Sequence, residues 1–318
     1  MLAVRRADAG QHAAMTRLPA RTALLMTLPP LLWAGNAIVG RLLVGSVPPL
    51  TLNFLRWLLA ALLLLPFAWR VLRRPGDIAS RWPTLLLMGL LGIGTYNAMQ
   101  YLALVTTTPI NVTLIAASSP VWMLAVGALF YGEHPRPRQI AGAVLSLAGV
   151  LLVIARGDPA ALARIEFVAG DLYVLVAIVA WAFYSWMLAR PPASLRAPER
   201  PGWNWAEFLW VQMLFGLLGA GAAAGAELAL GTAPIAWTGW VLIALFYVAV
   251  GPSIVAYRCW GLGIEAGGPA LAAFFANLTP VFAAAMSAAL LGELPRWFHA
   301  LAFALIVAGI VVSSARRA

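Results

Sequence analysis

Residues 118–136 read SSPVWMLAVGALFYGEHPR, and residues 278–296 read LTPVFAAAMSAALLGELPR. Pro120-Val121 stands against Pro280-Val281, Gly132-Glu133 against Gly292-Glu293, and Pro135-Arg136 against Pro295-Arg296, each pair 160 residues apart. Extended to 109–156 against 269–316, the match reaches 15 identities in 48 positions without a gap. An Ala/Leu-rich composition supplies part of that agreement but not the PV…GE…PR frame. One apolar helix and its exit are written twice, and the chain divides near residue 160.

Composition identifies the solvent. The chain is 63% hydrophobic and 10% charged, far from the balance of a soluble domain. A helix needs roughly 20 apolar residues to cross about 30 Å of hydrocarbon. Ten runs have that character: 22–43, 49–69, 83–105, 109–130, 139–155, 170–189, 205–226, 237–260, 268–290 and 298–314. The runs are continuous rather than alternating, so helices, not a barrel, satisfy their backbone groups in lipid. The expected fold is an all-α membrane protein of ten transmembrane helices in two five-helix halves, 22–155 and 170–314. Trp33-Ala34 in the first span and Trp181-Ala182 in the sixth fit the same division. Because five is odd, the second half starts from the opposite side of the membrane. The halves then form an inverted repeat about a pseudo-two-fold axis in the membrane plane, the design that gives transporters two alternately open states.

Charge orients the chain. All 21 basic residues are Arg. On the ten-span map 15 fall on one side: Arg5, Arg6, Arg17 and Arg21, four in the 70–81 loop, Arg136 and Arg138, three in the 190–200 loop, and Arg316-Arg317. The other side has four: Arg41, Arg156, Arg164 and Arg296. The arginine-rich side is expected to be cytoplasmic, with both termini inside. Because these arginines sit in short loops beside spans, topology accounts for the net charge of +10 and nucleic acid is not an expected partner. The leading residues do not read as a cleavable signal, since the apolar run after them is full span length and nine more follow. The single Cys259 rules out an internal disulfide and reads as a small buried apolar residue. His12, His134 and His299 are scattered, and no HExxH, Walker loop or GxSxG motif occurs. Neither an enzyme nor a metal or other cofactor is implied.

Particular stretches carry a family resemblance: LLWAGNAIVGRLL in the first span, LNFLRWLLAALLLLP in the second, GLLGIGTYNAMQYLALVTTTP in the third, then SSPVWMLAVGALFYGE, IAGAVLSLAGVLLVI and LTPVFAAAMSAALLGE. Together, in this order and over nearly the whole chain, they resemble the drug/metabolite transporter superfamily in its ten-span form built from two EamA-type halves. That resemblance implies a bacterial inner-membrane exporter of amino acids or other small metabolites, or of cationic toxicants such as methyl viologen. The tryptophan- and tyrosine-rich interior is most similar to aromatic amino-acid exporters. Span eight, AVGPSIVAYRCWGLGIEAG, departs from TYNAMQYLALV in the first half, so its contacts are not copied across by symmetry.

Polar groups inside spans are costly and mark solute paths or interhelical bonds. Candidates are Trp33 and Asn36; Tyr96, Asn97, Gln100 and Tyr101, which form i, i+4 pairs; Ser119 and Trp122; Trp181, Tyr184 and Ser185; Tyr247, Ser253, Tyr257 and Asn277. Each either lines a cavity or joins helices. Arg56, about seven residues inside span two, either snorkels to the interface or meets a substrate carboxylate; Arg258 poses the same alternative. Pro120 and Pro280 fall near mid-span, where a proline frees the carbonyl four residues back, here of Ala116 and Ala276, and makes a hinge. Gly142, Ser146 and Gly149, with Ala302 and Gly309, read as packing seams that keep spans five and ten off the solute path. No carboxylate or histidine falls at mid-bilayer on this map, so the simplest expectation is a facilitative carrier. Glu133 and Asp171 are the span-end acids to suspect otherwise. The expected partners are a small-molecule substrate and the lipid bilayer, and a monomer suffices.

Overall fold

A computed structural model describes residues 19–107, 112, 115–166, 168–231, 234–291 and 296–314, and these are helical with no β-strand among them. Gly292, Glu293 and Pro295 of the repeated frame, Arg5, Arg6, Arg17 and Arg316-Arg317 lie outside the described residues. Among the described residues, seven helical stretches are long and apolar enough to cross a membrane: 20–40, 49–73, 137–154, 169–189, 205–229, 239–276 and 297–314.

The first half holds α1 (Ala20–Leu42), α2 (Pro49–Ala68), the short α3 (Pro75–Ala79), and α4 (Trp82–Gly89). A π-helical turn, Leu90–Thr95, joins α4 to α5 (Tyr96–Thr106). Then follow α6 (Ser119–Tyr131) and α7 (Pro137–Ile154). The second half holds α8 (Ala169–Ala189), α9 (Trp205–Ala229), and α10 (Gly239–Val248). A second π-helical turn, Ala249–Val255, leads into α11 (Ala256–Ala276), followed by α12 (Thr279–Leu291) and α13 (Trp297–Ser314). The two π turns stand in register: adding the repeat offset of 160 to Leu90–Thr95 gives 250–255. Glycines in LLGIGT and the Gly251-Pro252 pair weaken the α ladder at both places, and π bulges gather at functional sites.

Two boundaries differ from the sequence reading. The expected loop at 261–267 is helix, and the break comes at Gly268, with φ 82° and ψ 164°. Only glycine takes that conformation without strain, and Pro269 holds the residue before it out of the α region. The expected ninth span is itself divided by a turn at Asn277-Leu278. Pro280 and Pro120 therefore do not kink continuous helices. Each stands in the first turn of its helix, after a break, where a missing N–H costs nothing. The carbonyls of Ala116 and Ala276 are not bare either. Ser119 Oγ donates to Ala116 O at 2.6 Å and Thr279 Oγ1 to Ala276 O at 2.7 Å, matching bonds at matching places.

Backbone proximity fixes the packing of α7 on α13. A Cβ placed on Gly142 would lie 2.7 Å from the Gly309 carbonyl oxygen, and one on Gly309 would lie 2.7 Å from that of Gly142. A Cβ on Gly149 would meet the Ala302 carbonyl at 2.8 Å. This pair touches the rest of the bundle through α11 and α12. Elsewhere α2 packs on α9, α1 on α11, and α5 on α8. Glu227, near the carboxyl end of α9, accepts Leu50 N at 3.0 Å, Thr51 N at 2.7 Å and Thr51 Oγ1 at 2.8 Å. A buried carboxylate thus occupies the amino terminus of α2, satisfying donors that the helix leaves open and countering its dipole. It pins α2 less than two turns from Arg56.

Candidate functional site

Arg56 does not snorkel. It is 1% exposed, and every group that it touches is neutral. Nε donates to Ser253 Oγ at 3.0 Å, and Nη1 faces Tyr101 OH at 3.2 Å, with Asn36 Oδ1 and Asn97 Oδ1 at 3.4 Å. The guanidinium also lies 5.1 Å from the Trp57 ring centroid. Ion pairs among the described residues are Arg81–Asp77 and Arg190–Glu133, so no carboxylate balances Arg56 there. Burying a lone cation costs several kcal/mol after relaxation, and bonds of 3.2–3.4 Å to neutral oxygens offset only part of that.

Beside this cation stands an aromatic cage centred on Trp181. Its ring lies 4.8 Å from Tyr96, 5.2 Å from Tyr184, 5.3 Å from Tyr257 and Trp260, and 5.4 Å from Trp33. Tyr257 also meets Trp57 edge-on at 4.9 Å. Two polar tips tie the cage to the π turns. Tyr257 OH donates to Gly92 O, and Trp33 Nε1 donates to Pro252 O at 3.2 Å. Gly92 and Pro252 are partners under the 160-residue offset, and each bond crosses from one half to the other. Asn97 Nδ2 reaches Tyr257 OH at 3.4 Å, which links cage and cation. Gln100 joins through Tyr96 OH at 3.1 Å.

The structure thus gathers Trp33, Asn36, Arg56, Tyr96, Asn97, Gln100, Tyr101, Trp181, Tyr184 and Tyr257 into one connected group. Ser119, Trp122 and Asn277 sit elsewhere: no hydrogen bond or ring contact joins them to that group among the described residues. Trp122 Nε1 donates to Ser118 Oγ at 3.1 Å. Asn277 Nδ2 bridges the halves, to Ser146 Oγ at 2.8 Å and Ala117 O at 3.3 Å. Of the suspected acids, Glu133 pairs with Arg190, and Asp171 accepts from Thr107 Oγ1 and Val168 N at the start of α8. No cluster of three metal-ligating side chains occurs among the described residues.

The candidate Ser253 joins the group through Arg56, and Trp57, Trp260 and Gln212, which the sequence reading did not single out, also belong to this region. Trp260 falls one turn beyond Tyr257, on the same face, and that spacing was the available signal. Gln212 is the one amide inside α9. Its Nε2 donates to Phe208 O at 3.1 Å, while Oε1 is buried without a protein partner among the described residues. Both polar side-chain atoms of Asn53, and Trp57 Nε1, are likewise buried and unpartnered. Each such atom costs about 1–3 kcal/mol. A cavity of about 850 Å³ begins at Tyr184, Gln212 and Tyr257 and runs between α8, α9 and α11 to the 190–204 segment, passing Arg258 and Arg200. A neighbouring cavity of about 640 Å³ shares Glu133 and Trp186 with it.

A bundle of membrane-length helices that keeps a charge and a cage of rings in its interior is organised to handle a solute within the bilayer. The protein is accordingly a multi-pass membrane transporter. The chain belongs to the EamA-like transporter family, which matches residues 20–155 and again 168–315, and so to the drug/metabolite transporter superfamily. It is 28% identical over 304 residues to an uncharacterized transporter of Archaeoglobus fulgidus, covering 93% of this chain and 98% of that one. It is 29% identical over 292 residues to the aromatic amino acid exporter YddG of Ancylobacter novellus, covering 89% and 93%. The uncharacterized inner membrane transporter YedA of Escherichia coli K12 is 29% identical over 287 residues, at 89% and 87% coverage. Solved structures share the fold, among them a protein crystal structure with a TM-score of 0.72 at 24% identity over 92% of this chain and 96% of that one.

Proposed function

We propose that the protein exports small carboxylate-bearing metabolites, aromatic or neutral amino acids foremost, across a bacterial inner membrane. The observation that carries this is Arg56, a buried cation without a carboxylate partner beside a cage of aromatic rings. A substrate carboxylate completes Arg56 through charge-assisted bonds, and the cage takes an apolar or aromatic side chain. Similarity to a protein named aromatic amino acid exporter supports the same class. Efflux of a hydrophobic cation is disfavoured by the same residue: like charges about 6 Å apart at an effective dielectric of about 20 repel by about 3 kcal/mol.

Transport proceeds by alternating access in an inverted repeat of two five-span halves. The α7–α13 contacts support this reading. Gly142 faces Gly309, which is the repeat partner of Gly149, while Gly149 faces Ala302, the partner of Gly142. Such reciprocity is what a two-fold axis across antiparallel helices generates. The breaks before Pro120 and Pro280 serve as the paired hinges. Pro120→Ala with Pro280→Ala should favour continuous helices and slow exchange several-fold without loss of folded protein, as read by counterflow in vesicles.

The arginine asymmetry places both termini, the 70–81 loop and the 190–200 loop in the cytoplasm, and the 156–168 loop outside. Single cysteines in a Cys259→Ser background should react with an impermeant maleimide in intact cells at 156–168 but not at 70–81. Labelling at 70–81 alone inverts the map.

The carrier is facilitative. Among the described residues Glu133, Asp171, Glu207 and Glu227 are each engaged in structural bonds, which supports a carrier that does not move protons. Proteoliposomes with equal pH and salt on both sides should equilibrate labelled phenylalanine. Accumulation above equilibrium under an imposed proton or sodium gradient rejects the facilitative mechanism, and absence of any phenylalanine flux rejects the substrate class.

A further inference from the structure

The cavity between α8, α9 and α11 has a cation of its own. Arg258 lines it, with its guanidinium 5.0 Å from the Trp205 ring centroid and no carboxylate within ion-pair distance among the described residues. Arg200 lines the same space nearer the loop. Deeper in, Gln212 is 1% exposed, with its Oε1 unpartnered among the described residues. Trp203 Nε1, also on the lining, is a buried donor without an acceptor there. The lining therefore presents a cation, a bare carbonyl-type acceptor and indole surface, with the carboxyl groups of Glu133 and Glu265 also on it. Those are the complements of a carboxylate, an ammonium and an apolar side chain.

Arg56 is not part of this cavity's lining. Between the two stands Tyr257, which reaches the cavity, holds Gly92 O across the halves and meets Asn97, itself beside Arg56. Tyr257 and Arg258 are adjacent in sequence, so helical geometry turns their side chains about 100° apart. Tyr257 thus connects the cavity to the Arg56 cluster, while Arg258 lines the cavity from another direction.

We propose that this cavity is a separate loading site for α-amino acids, in which Arg258 takes the carboxylate and Gln212 Oε1 the ammonium, before the substrate passes Tyr257 to Arg56. The assignment rests on the amino-acid reading above and adds to it a second station, with a role for the amine. At Arg56 the polar partners are neutral and the carboxylate is the group recognised. At the loading site Gln212 distinguishes an amino acid from its deaminated analogue.

Equilibrium binding to the full chain in nanodiscs tests this with three labelled probes: L-phenylalanine, 3-phenylpropionate and 2-phenylethylamine. Arg56→Gln should lose transport yet retain phenylalanine binding at the loading site. Arg258→Gln should weaken phenylalanine and phenylpropionate about tenfold and leave phenylethylamine unchanged, the loss of one charge-assisted contact. Arg258→Lys should stay within about threefold of wild type, since it keeps the charge; this controls for a folding defect in the glutamine variant. Gln212→Leu should abolish the preference for phenylalanine over phenylpropionate. Wild-type binding by Arg258→Gln, loss of all binding in Arg56→Gln, or retained discrimination in Gln212→Leu overturns the loading site while wild-type flux still stands. If the wild type neither binds nor moves phenylalanine, the amino-acid reading itself fails.

Discussion

Replacing Arg56 with methionine should abolish transport of carboxylate substrates and leave the protein as stable as wild type or more so. The two effects have one cause. In the free protein the guanidinium is buried among Ser253, Asn36, Asn97, Tyr101 and Trp57, with no opposite charge among the described residues. An apolar side chain of similar length removes the desolvation penalty, and replacement of buried charge by well-packed apolar groups is often neutral or stabilising by about 1–4 kcal/mol. The freed amide oxygens set the limit on that gain, since each loses a donor. The bound state behaves oppositely. A carboxylate held by two charge-assisted bonds loses about 3 kcal/mol or more, a fall of at least about 100-fold in affinity. Thermal unfolding of the purified variant and uptake into proteoliposomes measure the two sides. A destabilised variant with residual flux would make Arg56 a structural bridge rather than a binding group.

This trade of stability for function marks where the sequence was informative. Arg56, Asn97, Tyr101, Trp181 and Tyr184 stood out because a polar or amphipathic group inside an apolar run is expensive, and the structure connects them. The same logic placed Ser119, Trp122 and Asn277 at the site, yet Asn277 joins the two halves, while Ser119 and Trp122 bond within their own stretch of chain. From sequence, an interhelical bond and a ligand contact look alike, since both satisfy a polar group in lipid. Trp57 and Trp260 escaped notice for the converse reason. In a soluble helix an apolar stripe points to the core, but in a membrane helix the outer face is apolar too, so the periodicity that would single out an inward tryptophan is lost. The π turns were written only faintly, as glycines in LLGIGT and as Gly251-Pro252. Pro120 and Pro280 were correctly paired, but whether a proline bends a helix or restarts one depends on the residue before it. Here Ser119 and Thr279 supply hydroxyls that satisfy the last carbonyls, and the break becomes affordable.

The glycine seam between α7 and α13 supplies the second large effect, and one whose sign tests symmetry. Gly309→Ala puts a methyl group 2.7 Å from the Gly142 carbonyl oxygen and 3.1 Å from Ser146 N. Real Cβ contacts do not reach 2.7 Å, and the obstacle is backbone, so the helices must separate. Overpacking of this kind costs about 1–3 kcal/mol, and in lipid no hydrophobic force drives the helices back together. Gly142→Ala should cost about the same, because its methyl group meets the Gly309 carbonyl at the same 2.7 Å. The double variant should cost clearly less than the sum: once α7 and α13 have moved apart to admit one methyl, the second enters space already opened. Residues in contact depart from additivity by about 0.5–3 kcal/mol, and here the departure must be favourable. Gly149→Ala, which meets Ala302 about two turns away, should couple more weakly to Gly309→Ala than Gly142→Ala does. Transport per folded molecule should remain near wild type in all of them, since the seam lies on the far side of α11 and α12 from Arg56. Unfolding midpoints for the three single and two double variants, with counterflow normalised to folded protein, decide the matter. Simple additivity of Gly142→Ala with Gly309→Ala would mean that the two glycines do not share one contact, and the two-fold relation between the halves would lose its clearest support.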